Sequence, residues 1–190
     1  NGVEDEVFAT EEEIRQKIER YKTDDTIRVV YLSNLMESKG ILDLFEAVKM
    51  LRNRGEKIHL DVAGAIEPAI EDRVKAYLKE LGESVTYHGV VEGKKKKELL
   101  LNNYIFCLPS KHPYGEGQPI SILEAMANGC AIVTTDHGGI KDIVSEEYGA
   151  FVKKGNPESI VEGFTAALHP FSFVRSWRAA SAKYRMSHFG

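Results

Sequence analysis

The sequence is poor in cysteine, proline and tryptophan: it has two, six and one of them among 190 residues. Two cysteines cannot build the disulfide framework of a small secreted domain. Cys107 and Cys130 each lie in an apolar, strand-like run and read as buried free thiols rather than a disulfide or metal pair. No apolar run approaches the roughly 18–20 residues of a membrane span. A net charge of −4 gives no global reason to expect nucleic acid. The Gly-x-Gly-x-x-Gly fingerprint is missing after the first predicted strand and so is a Walker A loop, which argues against NAD and against a P-loop ATPase. Internal repeats and low-complexity segments are also absent. What is present, 43% apolar and 28% charged residues, is the composition of an ordinary globular domain with a core of its own.

Apolar runs alternate with helical patterns almost throughout. The runs 27–33, 58–63, 84–88, 104–108 and 130–134 read as strands, with a further small one at 150–152. Between them the spacing predicts helices over 41–54, 67–81, 94–102, 120–127, about 140–145 and 157–168; the first carries Leu42, Phe45, Val48 and Leu51 on one face. Such alternation implies parallel pairing and an α/β doubly wound parallel sheet, Rossmann-like in character. Ligands of these sheets sit outside the carboxyl ends of the strands. The strand ends at Ser33-Asn34, Gly64, Pro109-Ser110 and Thr135-Asp136 therefore mark one candidate edge.

The most informative stretch lies beside that edge. Glu116-Gly-Gln-Pro-Ile-Ser-Ile-Leu-Glu124 places two carboxylates around a proline able to open a helix. Glu116 falls on the loop before the helix and Glu124 inside it, with the apolar Ala-Met-Ala run and the Asn128-Gly129 stop behind. The first turn offers unpaired N–H groups and a positive dipole end, which suit an anion such as phosphate. Acid, phosphate cradle and second acid in one segment suit a nucleotide joined to a polyhydroxylated group.

With the strand Ala131-Ile-Val-Thr-Thr135 and the Gly138-Gly139-Ile140 turn following in order, this segment resembles the Glu-x7-Glu signature of retaining, family-4 type glycosyltransferases of GT-B architecture, the glycosyl transferases group 1. The chain as a whole resembles their C-terminal, donor-binding domain. The resemblance implies a nucleotide-diphosphate sugar donor and a glycan or lipid-linked acceptor, with transfer retaining the anomeric configuration. It implies Glu124 on the ribose hydroxyls, a carboxylate being able to accept from both. Glu116 would act as the catalytic group beside the transferred sugar. Gly117 and Gln118 would approach sugar and phosphate, and Ile120 and Ser121 would turn their N–H groups to the phosphates. Gly64 and Val90, in the His88-Gly89-Val90-Val91 turn, would meet the nucleobase. Lys39 matches the family's diphosphate-binding lysine, whereas Asn34, five positions before it, stands where the family commonly has arginine. Lys39 and the helix dipole would replace a divalent cation, so neither an obligatory metal nor a cofactor is expected. Lys111, His112, Tyr114 and His137 flank the site loops.

The resemblance also implies an inter-domain linker and lead-in helix over 1–26, the nucleotide-sugar domain over 27–168, and a truncated helical segment over 169–190. The acceptor site would belong to a missing N-terminal domain, leaving this piece alone inactive. A cytoplasmic location follows, with room for peripheral association at the inner face of the membrane. The run Lys94–Lys97 reads as a solvated face, with anionic lipid as the other option. Trp177, Tyr184 and Phe173 read as docking or core residues. A non-catalytic nucleotide-sugar-binding module and a GT-B nucleotide-sugar epimerase or phosphorylase stay open as alternatives. A glycosidase is disfavoured because both acids lie on one loop-helix unit.

Overall fold

The structure, a computed structural model, describes residues 7–112, 120–136 and 138–189. Six strands run parallel: β1 (Ile27–Leu32), β2 (Ile58–Ala63), β3 (Val85–Tyr87), β4 (Ile105–Leu108), β5 (Ala131–Thr135) and β6 (Gly149–Val152). Their spatial order is β3-β2-β1-β4-β5-β6. The chain moves outward from β1 to β3, then returns to the other side of β1, so the topological switch lies between β1 and β4. At such a switch the crossover connections diverge and leave a crevice at the strands' carboxyl ends.

The helices are α1 (Glu11–Thr23), α2 (Ile41–Asn53), α3 (Glu71–Leu81), α4 (Gly93–Asn102), α5 (Ile120–Ala127), α6 (Pro157–Ala167) and α7 (Pro170–Phe189). β1, β4 and β5 are sealed on both faces, as a central parallel sheet must be: Val29, Val30, Ile105, Phe106, Ile132 and Val133 are fully buried. The predicted α/β doubly wound parallel sheet is the fold observed. Boundaries moved where local backbone chemistry intervened. The expected helix over 67–81 begins as a 3-10 turn, Pro68–Ile70, and becomes α-helical only at Glu71. Proline holds the residue before it out of helical space, and Glu67 is extended. The predicted helix near 140–145 is a five-residue 3-10 turn, Gly138–Asp142.

At the chain's two described ends, α1 and α7 pack on each other, and α7 lies along α5. Phe173 of α7 is fully buried, edge-on to Tyr21 of α1 at 5.0 Å and beside Tyr104 at 5.7 Å. Trp177 Nε1 donates to Ala9 O at 2.9 Å, and the Tyr184 ring meets Phe8 at 5.3 Å. All three aromatics thus serve packing, as expected of docking or core residues. Lys17 of α1 is also wholly inside. Its Nζ donates to Leu100 O and Asn128 O, each at 3.0 Å, beside Cys130 Sγ at 3.5 Å. Burial pushes the Lys17 ammonium down in pKa, Cys130 pulling the other way. Burial likewise pushes the Cys107 and Cys130 thiols up. Both cysteines are free and buried, so they are inert as nucleophiles.

Candidate functional site

The loops leaving β1, β2 and β3 are stitched into one rim. Gly64 makes this possible. Its φ of +147° suits only glycine, and a Cβ there would fall 1.9 Å from Ser33 O. The loop after β2 can therefore cross directly over the end of β1. Gly64 N–H donates to Gly89 O at 2.8 Å, Tyr87 Oη donates to Gly64 O at 2.7 Å, and Leu35 N–H donates to Ala65 O at 2.8 Å. A parallel joint closes the β4 side. Lys111 N–H donates to Ser38 O at 2.7 Å, and Thr135 Oγ1 donates to Ser110 O at 2.6 Å. Gly40, at φ +76°, fits under the Pro109 carbonyl, where a Cβ would come within 2.0 Å.

Between these rims lies a cleft of about 170 Å³, lined by Leu32, Ser33, Asn34, Ala63, Gly64, Val90, Val91, Lys96, Ser121 and Glu124. Ser121 and Glu124 share one face of α5 because three residues make nearly one turn. Ile122, Ala125 and Met126 bury the opposite face. Glu124 Oε2 stands 3.3 Å from Lys96 Nζ of α4. One turn below, Asn128 Nδ2 donates to Glu124 O at 2.9 Å and to Val7 O at 2.8 Å, tying α5 to the segment before α1.

The Gly89–Val91 turn is braced from beneath. Asp61 of β2 accepts from His88 Nε2 at 2.8 Å and from Asn103 Nδ2 at 2.9 Å, and His59 Nε2 lies 3.4 Å away. Burial pushes the Asp61 carboxyl up, but the hydrogen bonds from His59, Asn103 and His88 outweigh it and hold it well below the usual carboxylate range. His59 is raised, chiefly by its hydrogen bond to Asp61. Its Nδ1 lies 3.0 Å from Glu83 O, and its Nε2 lies 3.1 Å from Thr86 Oγ1 as well as near Asp61, so an imidazolium would find an acceptor on each side.

Five of the expected site residues, Asn34, Gly64, Val90, Ser121 and Glu124, line this one cleft. Lys39 and Ile120 are not among its lining residues. Lys39 ends the 3-10 turn Glu37–Lys39 before Gly40, and Ile120 opens α5 with 66% of its surface exposed. Glu116, Gly117 and Gln118 lie outside the described residues, as do Tyr114 and His137. His88 is a strand-end residue, bound to Asp61. Lys111 pairs with Asp43 at 3.4 Å. Sequence reasoning missed Lys96, which it left on a solvated lysine face. Helical spacing held the signal, because Lys96 stands three and four positions before the buried Leu99 and Leu100. Among the described residues no group of three or more His, Cys, Asp or Glu could hold a metal ion, and no helix is long and apolar enough to cross a membrane.

The geometry has close counterparts. The structure superposes on the C-terminal domain of the glycosyl transferase group 1 family protein LpcC from Francisella tularensis with a TM-score of 0.72 at 19% identity, covering 94% of this chain and 96% of that one. It superposes on Anabaena Alr3699/HepE, solved in complex with UDP-glucose, with a TM-score of 0.71 at 16% identity, over 94% of this chain and 50% of that one. The fold is that of the C-terminal domain of a GT-B glycosyltransferase. In sequence, the chain is 31% identical over 141 residues to the N,N'-diacetylbacillosaminyl-diphospho-undecaprenol alpha-1,3-N-acetylgalactosaminyltransferase of Campylobacter jejuni, over 74% of this chain. It spans well under half the length of the curated relatives it matches, 35% of that one. The pattern described as Glycosyl transferases group 1 matches residues 10–183, all six strands and the whole cleft included, and the chain belongs to that family.

Proposed function

We propose that this chain is the donor-binding part of a retaining glycosyltransferase that moves a sugar from a nucleotide diphosphate to a glycan or lipid-linked acceptor. The observation that carries the reading is the cleft at the β1/β4 switch, where Gly64 and Val90 face Ser121 and Glu124 of α5. In it the base would lie against the Gly64 and Gly89–Val91 backbone, and Glu124 would accept from the ribose hydroxyls. The diphosphate would meet Lys39 and the N-terminus of α5, whose free N–H groups and dipole favour an anion. Ile120 and Ser121 would supply those N–H groups. Glu116 would stand beside the transferred sugar and stabilise the positive charge that develops as the glycosidic bond loosens. Lys39 and the helix end take the place of a divalent cation, so donor binding needs no metal.

The Campylobacter relative, named for a diphospho-undecaprenol acceptor, and the UDP-glucose complex of the Anabaena protein support the acceptor and donor classes. Acceptor contacts would come from a further domain. The chain alone is expected to bind donor weakly and to transfer little, and the whole protein to work in the cytoplasm, at the inner face of the membrane where the acceptor is lipid-linked. A non-catalytic nucleotide-sugar-binding module is the second reading, favoured by Asn34, which offers no charge where the family commonly has arginine.

Calorimetric titration of the chain with UDP, GDP and ADP, with and without a chelator, tests the proposal. One nucleotide should bind saturably, indifferent to chelator, and Glu124→Ala or Lys39→Ala should weaken it about tenfold or more, a loss of about 1.4 kcal/mol. Silence of all three at millimolar concentration would refute the donor site.

A further inference from the structure

The run Lys94–Lys97 does not act as one charged face. Lys94 and Lys95 are exposed, while Lys96 and Lys97 are half-buried. Lys97 turns toward the chain's start, donating to Phe8 O at 3.1 Å with Glu13 at 3.5 Å. Lys96 lines the cleft and stands 3.3 Å from Glu124, with side-chain exposures of 34% and 21%; with Lys97 it also borders an adjoining hollow beside Val7 and Asn128. Among the described residues lining the cleft, Lys96 is the cation and Glu124 the anion.

A pair this open to solvent adds at most about 1 kcal/mol to folding. The fold therefore gains little from bringing Lys96 here, and its effect falls on the carboxylate it faces. A carboxylate has about four acceptor positions. Lys96 takes one of them at Oε2, and because Glu124 lines the cleft together with Gly64 and Val90, its other positions are within reach of a ligand there. Behind the pair, Lys17 holds the same two helices together one turn further along, through Leu100 O and Asn128 O. Lys96 and Glu124 are thus presented from a fixed frame.

We propose that Lys96 is the positioning residue for ribose recognition: it holds the Glu124 carboxylate in the orientation that accepts two vicinal hydroxyls, and so selects ribonucleotides over deoxyribonucleotides. The inference rests on the donor-site reading above. It applies to the sugar of the nucleoside and leaves the diphosphate contacts unchanged.

The test titrates UDP, GDP and ADP and their 2′-deoxy counterparts into the wild-type chain, Lys96→Met, Lys96→Arg and the exposed neighbour Lys95→Met. Thermal unfolding of each variant checks that it is folded. The wild type should prefer the ribonucleotide about tenfold, the worth of one charge-assisted hydrogen bond. Lys96→Met should cut that preference to about twofold or less, Lys96→Arg should restore most of it, and Lys95→Met should match wild type. A folded Lys96→Met that keeps the wild-type ratio, or weakens both nucleotides equally, overturns the role of Lys96 and leaves the donor site standing. Lys95→Met lowering the ratio as much would overturn it too, since the effect would then be general charge. If the wild type binds none of the nucleotides, the donor-site reading falls and this inference with it.

Discussion

Gly40 and Gly55 have nearly the same backbone, with φ of +76° and +82°, and different surroundings. A Cβ on Gly55 would meet nothing within 4 Å, while one on Gly40 would fall on the Pro109 carbonyl. The shared left-handed conformation costs a side chain about 1–2 kcal/mol. Gly55→Ala should therefore lose about 1 kcal/mol in urea unfolding, and Gly40→Ala at least about 3 kcal/mol, because backbone must move. Equal losses would show that conformation alone decides. The comparison also marks what a sequence can disclose about single residues. That Gly40 follows Lys39 at a helix start was legible; that it lies beneath Pro109, sixty-nine positions on, was not, because nothing local records the approach of two loops. Lys96 was obscured in another way. Four identical neighbours look like one surface, yet two stay exposed while Lys96 and Lys97 are half-buried against different partners.

Among the elements, strands and helices were legible wherever period and length agreed. The helix Ile120–Ala127 was read to the residue because the proline before it and Asn128-Gly129 behind it are chemical punctuation. The shallow strand β3 was legible only as a short run, and its partner network was not: His59 and Asp61 alternate with Leu60 and Val62 in the ordinary strand manner, and only the fold brings His88 and Asn103 to Asp61. That cluster makes the β2–β3 edge sensitive to pH. His59 has a folded pKa raised above its ordinary 6.5. Its contribution is complete below that value and is lost as pH rises through the folded one. Asp61, lowered from 3.8, contributes above its ordinary value and is lost in acid. Arg28, which pushes His59 down, trims the effect without reversing it. Buried Lys17, whose pKa is lowered, works in the opposite sense, so the test is the difference between wild type and His59→Gln, which lacks the titrating ring. The wild-type urea midpoint, measured against that of His59→Gln, should decline as pH is raised from about 6 to about 8.5. A difference that stays constant or grows through that window would contradict the raised pKa of His59.

Across the whole molecule, the cleft depends on the packing of the chain's far ends. α5 carries Ser121 and Glu124 on one side and rests against α7 on the other. Ser176 Oγ donates to Cys130 O at 2.7 Å, just past the end of α5, and Phe173 fills the space between Tyr21 and Tyr104. Gly129 leaves so little room that a Cβ would lie 2.7 Å from Ile14 Cδ1. α1, α5 and α7 therefore form one packed layer, and loosening it loosens the base of the cleft. Phe173→Ala removes a fully buried ring, which costs about 3–5 kcal/mol when the void cannot collapse. Urea unfolding should report that loss. Amide exchange should quicken in β1 and β2 only by as much as global stability falls, whereas α1, α5 and α7 should also open by local fluctuations and exchange faster than global unfolding allows. Donor affinity should drop with it, although Phe173 lines no part of the cleft, because Glu124 would be presented from a helix that spends more time displaced. If α5 exchanges no faster than global unfolding allows, α7 packs on the domain without bracing its site.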